Sequence, residues 1–418
     1  MLLMKSRLDL FIVEIKISKL FLLSFRFDIK NLYLRQYYNI MKILLIGEYS
    51  NLHNSLKQSL LKKGHDVTLI ADGDGFKQYD VDILIKSIIF ENKILKVLTK
   101  IIDKLTGISL NELEIYLRAK REIRKLESFD VVQLINERPF KTSPTYEKKL
   151  LEKIFRKNKN IYLLACGVDH TTVKYALEKK FKYSILTPYF NNKKLKIKYK
   201  QILKYLNSDY KDLSSFIKNN INGIISSDLD YHIPYIGENK YLGMIPNPIN
   251  IDFLKYNFNH SKKIKILHPI NSVNKIKKGN IFFTESLKFI EEKYSHKIKI
   301  TITTNEPYKK HINNVIENDI ILDQVYAYDQ GYNALESMAL GKVVFTGAEE
   351  EWLKKYNIKP DSVVINALPD VTKIVQKLSW LIENPNMIKM ISKNARKFIL
   401  KYHNYEQIGT KYLQTWKK

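Results

Sequence analysis

The sequence predicts an α/β fold made of two successive strand–helix–strand series. Three observations lead there. Met41-Lys42-Ile43-Leu44-Leu45-Ile46-Gly47 is a buried-strand pattern closed by glycine, and a helical stretch over 50–63 and a strand pattern over 64–70 follow it in a Rossmann-type opening. A second αβ series starts at Ile264. Between the two, Met244-Ile245-Pro246-Asn247-Pro248-Ile249-Asn250 places two prolines within three residues, which disfavours helix and stiffens a crossing segment.

Residues 1–40 read as an N-terminal extension. Their apolar run is interrupted by Glu14, Lys16 and Lys19 and lacks a small-residue cleavage site, which argues against a signal peptide. A start codon set upstream of Met41 accounts for them. A basic, membrane-touching segment is the alternative, because 20–27 is apolar with Arg26 and Lys30 nearby. The first domain, 41–255, continues with strand patterns at 129–136 and 160–167 and a shorter one at 221–227. The second domain, 256–384, has strand patterns at 264–268, 297–303, 320–325, 343–346 and 362–365. The tail, 385–418, is helical in pattern, with Met387, Ile388, Ile391, Ala395, Phe398 and Tyr402 on an apolar face.

A chain of 418 residues accommodates two or three domains with ample core. Its one cysteine, Cys166, excludes an internal disulfide framework and suits a reducing compartment. No apolar run reaches the roughly 18 residues of a transmembrane helix, so a cytoplasmic location, with or without peripheral contact to the inner face of a membrane, is expected. The net charge of +27 invites nucleic acid or an anionic membrane. Only nine of the 70 basic residues are arginine, the residue that phosphate and base recognition favours, and the lysines are spread along the chain. Nucleic acid is therefore set aside. Most lysines read as solvated faces, and attraction to an anionic membrane surface stays open.

The stretch 318–347 is the most informative in the chain. An apolar run over 320–325 suits a buried strand, and a loop with Gly331 follows. Asn333 suits the cap of a short helix whose Leu335, Met338 and Ala339 share a face. Gly341 suits its end, and a further strand begins at Val343. The N-terminus of such a helix offers free backbone N–H groups and a partial positive charge, an anion site. Glu336, one turn in, is placed for the hydroxyls of a ribose or sugar.

This segment resembles the donor-binding signature of the GT-B glycosyltransferases, in particular the large retaining group called group 1 or family 4. The pattern there is a glutamate, seven residues, a second glutamate and then Ala-Met-Ala-x-Gly-x-Pro-Val-like residues. Gly331, Glu336, Met338, Ala339, Gly341 and Val344 match; Tyr328 stands where the first glutamate belongs, with Asp329 beside it, and Val343 replaces the proline. The resemblance implies two facing Rossmann-like domains with a cleft between them and a tail crossing back to the first. It further implies a nucleotide-sugar donor held at Gly331, Tyr332 and Asn333, with Glu336 on the nucleotide ribose.

Other positions follow from the same resemblance. In 268–279 the family carries an arginine or lysine and then Lys-Gly to hold the donor diphosphate; Lys278-Gly279 matches the latter, and Lys275 is the candidate for the former. A diphosphate carries about two negative charges, so ammonium groups beside a helix N-terminus bind it electrostatically. Tyr308 stacks on a nucleotide base or covers a strand end. In the first domain Gly47 survives from the family's glycine-rich loop, and His53 after it reads as a surface residue. Cys166 stands in a histidine position of His-Gly-x-Asp, leaving Asp169 and His170 to orient or deprotonate an acceptor hydroxyl, since imidazole titrates near neutrality. Asn136, with Glu137 and Arg138, ends the neighbouring strand on the acceptor side.

The chain shows no Gly-x-Gly-x-x-Gly and no Cys/His metal spacing, and none of its Asp-x-Asp triplets reads as the metal-binding motif of the GT-A type. The expectation is thus a metal-independent glycosyltransferase without a cofactor, its acceptor a surface glycan of the capsule or lipopolysaccharide type or a lipid-linked precursor. A nucleotide-sugar epimerase on the same fold and a non-catalytic binding or scaffold protein are the alternatives; Tyr328 and Cys166 favour the last.

Overall fold

A computed structural model describes residues 40–92, 95–107, 109–258 and 262–417. The extension assigned to residues 1–40 lies outside them, Ile40 excepted.

Two parallel sheets form the chain. The first contains β1 (Lys42–Ile46), β2 (Asp66–Ala71), β3 (Ile83–Leu84), β4 (Val131–Leu134), β5 (Ile161–Ala165), β6 (Gly223–Ser226) and β7 (Tyr241–Met244), in the order β3-β2-β1-β4-β5-β6-β7. The second contains β8 (Ile264–Ile270), β9 (Ile298–Thr304), β10 (Ile320–Leu322), β11 (Val343–Thr346) and β12 (Ile365–Asn366), in the order β12-β11-β10-β8-β9. The α/β expectation of two Rossmann-like domains is met.

Side chains alternate along a strand, so a sheet covered on both faces reads as continuous apolar sequence. In β1, Ile43 and Leu45 join one core cluster, with Leu52, Leu56 and Leu60 of the helix Leu52–Lys62. Leu44 and Ile46 join another, with Ala119 and Ile123 of the helix Leu110–Lys125. The second sheet does the same: Ile266, Ile320 and Phe345 face one cluster, and Leu267, Ile321 and Val344 the other.

The edges β3 and β7 give no sequence signal. One has two residues, and the other contains Gly243 and a register shift against β6. The run expected over 320–325 is strand only to Leu322; Asp323 still donates its N–H to Phe345, and the chain then turns toward the first domain.

The tail forms the helix Pro385–Tyr402, breaks at His403 and Asn404, and continues as Tyr405–Trp416. At the break, Ile249 of the crossing segment donates its N–H to His403 (2.7 Å) and accepts from Tyr405 (3.2 Å). The last helix lies on Leu52–Lys62. Its Trp416 donates Nε1–H to Gln133 Oε1 at 3.1 Å, and its carbonyl accepts the Tyr162 hydroxyl at 3.0 Å. Close approach of the two helices requires Gly409, where a Cβ would fall 2.1 Å from Ser59 Oγ. Gly409→Val should therefore destabilise the protein by about 1–3 kcal/mol through overpacking, read as a lower urea midpoint at unchanged m-value.

Candidate active site in the interdomain cleft

The C-terminal ends of the strands in both sheets carry the loops that face each other, the usual ligand position in open parallel sheets. They enclose a cavity of about 650 Å³. The first domain contributes Tyr49 and Ser50 after β1, Asp74, Phe76, Lys77 and Tyr79 after β2, Cys166 to Val168 after β5, and Asp228 and Asp230 after β6. The second contributes Asn274, Lys277 and Lys278 after β8, Tyr308 after β9, and the segment from Gln324 to Glu336 after β10.

Glu336 sits in the helix Tyr332–Ala339, with every residue of that helix except Asn333 buried. Burial raises its carboxyl to about 8, partly offset by the Tyr308 hydroxyl donating at 2.7 Å and by nearby Lys77. It is a buried cleft acid and not a solvated helix residue. Tyr308 in turn packs on Tyr79 of the first domain, with ring centroids 5.1 Å apart. Gly331 is the N-cap, with no side-chain cap, so the first N–H groups of the helix open toward the cleft. Asn333 does not cap; it lies within the helix and donates to Asp323 Oδ1 at 2.8 Å. Tyr332 reaches into the first domain, where its hydroxyl donates to the Pro248 carbonyl and lies 2.6 Å from Ser55 Oγ.

The lysines divide. Lys278 lines the cleft, but its ammonium pairs with the buried Asp323 at 2.7 Å. Lys275 is exposed and outside the cleft lining. Its neighbour Lys277 lines the cleft, and among the described residues it has no ion-pair partner; burial lowers its pKa. Only the structure separates the three, because a one-residue step around the 271–279 turn decides which side chain points inward.

The acid–base pair expected in the first domain does not face the cleft. Asp169 is fully buried as the N-cap of His170–Leu177, accepting from Thr172 N–H at 2.7 Å and from the Tyr235 hydroxyl at 2.9 Å. His170 donates Nδ1–H to the Tyr205 carbonyl at 2.8 Å. Asn136 is also interior, tying Nδ2 to the Cys166 carbonyl at 2.8 Å. Glu137 accepts from Ser214 and from the His170 N–H, and Arg138 packs over Tyr205 and Tyr210. Gly47 supports the site from behind: its φ is 86°, and a Cβ there would meet Ile135 Cγ2 at 2.2 Å. His53 is buried, donates Nδ1–H to the Gly47 carbonyl at 2.7 Å, and burial lowers its pKa to about 3, so it stays neutral.

Two acids that the sequence reading passed over do reach the cavity. Asp228 and Asp230 flank Leu229 at the end of β6, and both carboxyls are raised, first by burial and then by neighbouring carboxyls, Asp329 among them. Asp-Leu-Asp directly after a strand was the available signal. Tyr328 is buried between Phe181 and Tyr183, and its hydroxyl accepts the Lys182 N–H at 2.8 Å. The position of the family's first glutamate is thus an interdomain contact.

Solved structures share this architecture. Sucrose-phosphate synthase from Thermosynechococcus elongatus aligns with a TM-score of 0.59 over 90% of this chain and 98% of its own, at 12% identity. HepE from Anabaena, solved with UDP and glucose, aligns at 0.56 over 90% and 99%, with 11% identity. A Listeria monocytogenes protein described as a UDP-N-acetylglucosamine 2-epimerase aligns at 0.52 over 90% and 95%, with 10% identity. No protein-family model and no curated sequence matches the chain. Two facing Rossmann-like domains, a cleft at their strand ends and this likeness together establish a GT-B fold.

Proposed function

We propose that the protein is a glycosyltransferase that moves a sugar from a nucleotide-sugar donor to a hydroxyl of a surface glycan or lipid-linked acceptor. The observation that carries this reading is Glu336, a buried carboxyl one turn inside a helix whose N-terminus opens on the cleft beside Lys277 and Lys278. The carboxylate accepts the ribose hydroxyls, while the helix N-terminus and the ammonium groups meet the diphosphate. Because HepE was solved with UDP and with UDP-glucose, UDP is the first nucleotide to test.

In the transfer, the bond from the sugar C1 to the diphosphate oxygen breaks and its electron pair leaves with the diphosphate. The acceptor oxygen bonds to C1, and its proton passes to the departing diphosphate oxygen. Lys277, Lys278 and the helix N-terminus stabilise the charge growing on the leaving group. Retention of configuration follows from the family resemblance. The reading assigns no role to a metal ion, so activity should be unchanged by EDTA. The likeness to the Listeria protein keeps an epimerase as the second reading; product analysis with and without acceptor separates the two, since an epimerase alters the donor sugar without one.

Glu336→Gln tests the carboxyl. Burial makes the folded protein hold this proton more tightly than the unfolded chain, whose ordinary value is 4.5. Its stabilising contribution is complete below that value and is lost as pH rises through about 8. The Tm of Glu336→Gln relative to wild type should therefore climb between about pH 5 and pH 9. UDP affinity moves oppositely: it strengthens in wild type as the carboxylate ionises, and stays lower and flat in the variant.

Lys277→Ala should weaken UDP about tenfold, or ~1.4 kcal/mol, and leave uridine unaffected, because its charge meets phosphate. Lys278→Ala should weaken UDP and also lower the Tm, since it strands the buried Asp323 carboxylate. Calorimetry with both ligands reads these effects. If neither Glu336→Gln nor Lys277→Ala changes UDP affinity in folded protein, the donor site lies elsewhere.

A further inference from the structure

The segment that follows β3 presents apolar side chains to solvent in an arrangement that the fold enforces. In the helix Leu95–Thr106, Val97, Ile101 and Leu105 recur every fourth residue on one face and are 64%, 52% and 79% exposed. The polar Thr99 is the buried position among that helix's described side chains. The stripe of Val97, Ile101 and Leu105 thus lies on the solvent side of the helix, while Leu95 and Ile102 are half-buried.

The loop before it behaves likewise. Glu114 of the neighbouring helix Leu110–Lys125 is buried and gathers the Ser87 hydroxyl (2.7 Å), the Ile88 and Ile89 N–H groups (3.1 Å each) and the Phe90 N–H (3.2 Å). Arg118 donates to the same carboxylate at 2.8 Å. Burial opposes ionisation, but these hydrogen bonds pull the carboxyl down to about 2. Wrapping the backbone around Glu114 leaves Ile88 and Ile89 pointing outward, 55% and 53% exposed. Leu117, on the next turn from Glu114, is exposed as well.

Exposed large apolar residues held in place mark an interaction surface, and their surroundings select the partner. Over 84–125 the chain has ten lysines and arginines against five acidic residues. Arg118, Arg121 and Arg124, three of the nine arginines in the chain, recur along one helix here. An apolar stripe flanked by basic residues fits the boundary between headgroups and acyl chains of an anionic bilayer. We infer that this face docks the protein on an anionic lipid surface. The segment leaves the C-terminal end of β3, the end on which the cleft opens, and Phe76 of the adjacent loop lines the cavity. A bilayer on this face would therefore border the first-domain side of the cleft.

The test is vesicle co-sedimentation of the full chain, with phosphatidylglycerol–phosphatidylcholine vesicles against phosphatidylcholine alone. The expected result is binding to the anionic vesicles that weakens with salt. Val97→Glu/Leu105→Glu should lower it at least about tenfold, whereas Phe253→Glu, an exposed apolar site elsewhere, should not. UDP affinity and Tm equal to wild type show that the double variant is folded; Ile88→Glu serves if it is not. Undiminished binding by the folded variants would overturn the inference and move the contact elsewhere on the chain. Equal binding to neutral vesicles would overturn it too. So would a concentration-dependent dimer, abolished by the same substitutions, in a protein that ignores vesicles; the face would then join two copies.

Discussion

The geometry of the cleft depends on the segment between β10 and the helix Tyr332–Ala339, which is anchored in the opposite domain. Tyr332 sends its hydroxyl to Pro248 and Ser55. Tyr328 accepts the Lys182 N–H and donates its own N–H to Asp230, and Asp329 accepts the Leu229 N–H at 3.2 Å. Each such bond contributes about 0.5–1.5 kcal/mol net, so together they are comparable to the binding energy of a modest ligand. The same few residues that start the helix presenting Glu336 therefore also fix how far the two walls stand apart. The interdomain contacts and the uncapped N-terminus of the helix Tyr332–Ala339 thus share one segment.

That coupling explains what was legible in the sequence. The strand–loop–helix–strand unit around Glu336 is contiguous, so its elements, its glycine and its acid can be read locally. The core strands were equally legible, because sheets covered on both faces leave uninterrupted apolar runs. The edges were not: two residues in β3, and a glycine-bearing, shifted β7, give no period to detect. Around the first-domain site, the difficulty is that a polar residue after a strand can face the cleft or cap the next helix. Asp169 and Thr172 form a reciprocal capping box, and that spacing was the available cue. Which of Lys275, Lys277 and Lys278 points inward is a matter of turn geometry that residue types do not encode.

The charge of the chain has a structure of its own. Within the cleft the lysines are restrained: Lys77 pairs with Asp74, and Lys278 with Asp323, leaving Lys277 without a carboxylate among the described residues. A partly desolvated ammonium without a carboxylate partner is disfavoured, and burial lowers its pKa. Under the proposed function, an incoming diphosphate supplies the negative charge that Lys277 lacks. The excess positive charge lies elsewhere, including the face after β3, where it accompanies apolar side chains that no other described element covers.

Beside the Lys77–Asp74 pair and Glu336, the two walls of the cleft carry different groups. Lys277, Lys278 and an uncapped helix N-terminus belong to the second domain, and Asp228 and Asp230 to the first. Burial and mutual repulsion raise the carboxyls of this acid group, so its members hold protons that exposed aspartates would have lost. Group transfer separates charge in the same sense: electrons leave with the diphosphate, and a proton departs from the acceptor hydroxyl. Under the proposed reaction, the cationic groups meet the leaving group, and the acid group stands on the side from which an acceptor enters. The acid–base pair expected at Asp169 and His170 is internal to the first domain, whereas Asp228 and Asp230 lie at the surface where the two domains meet.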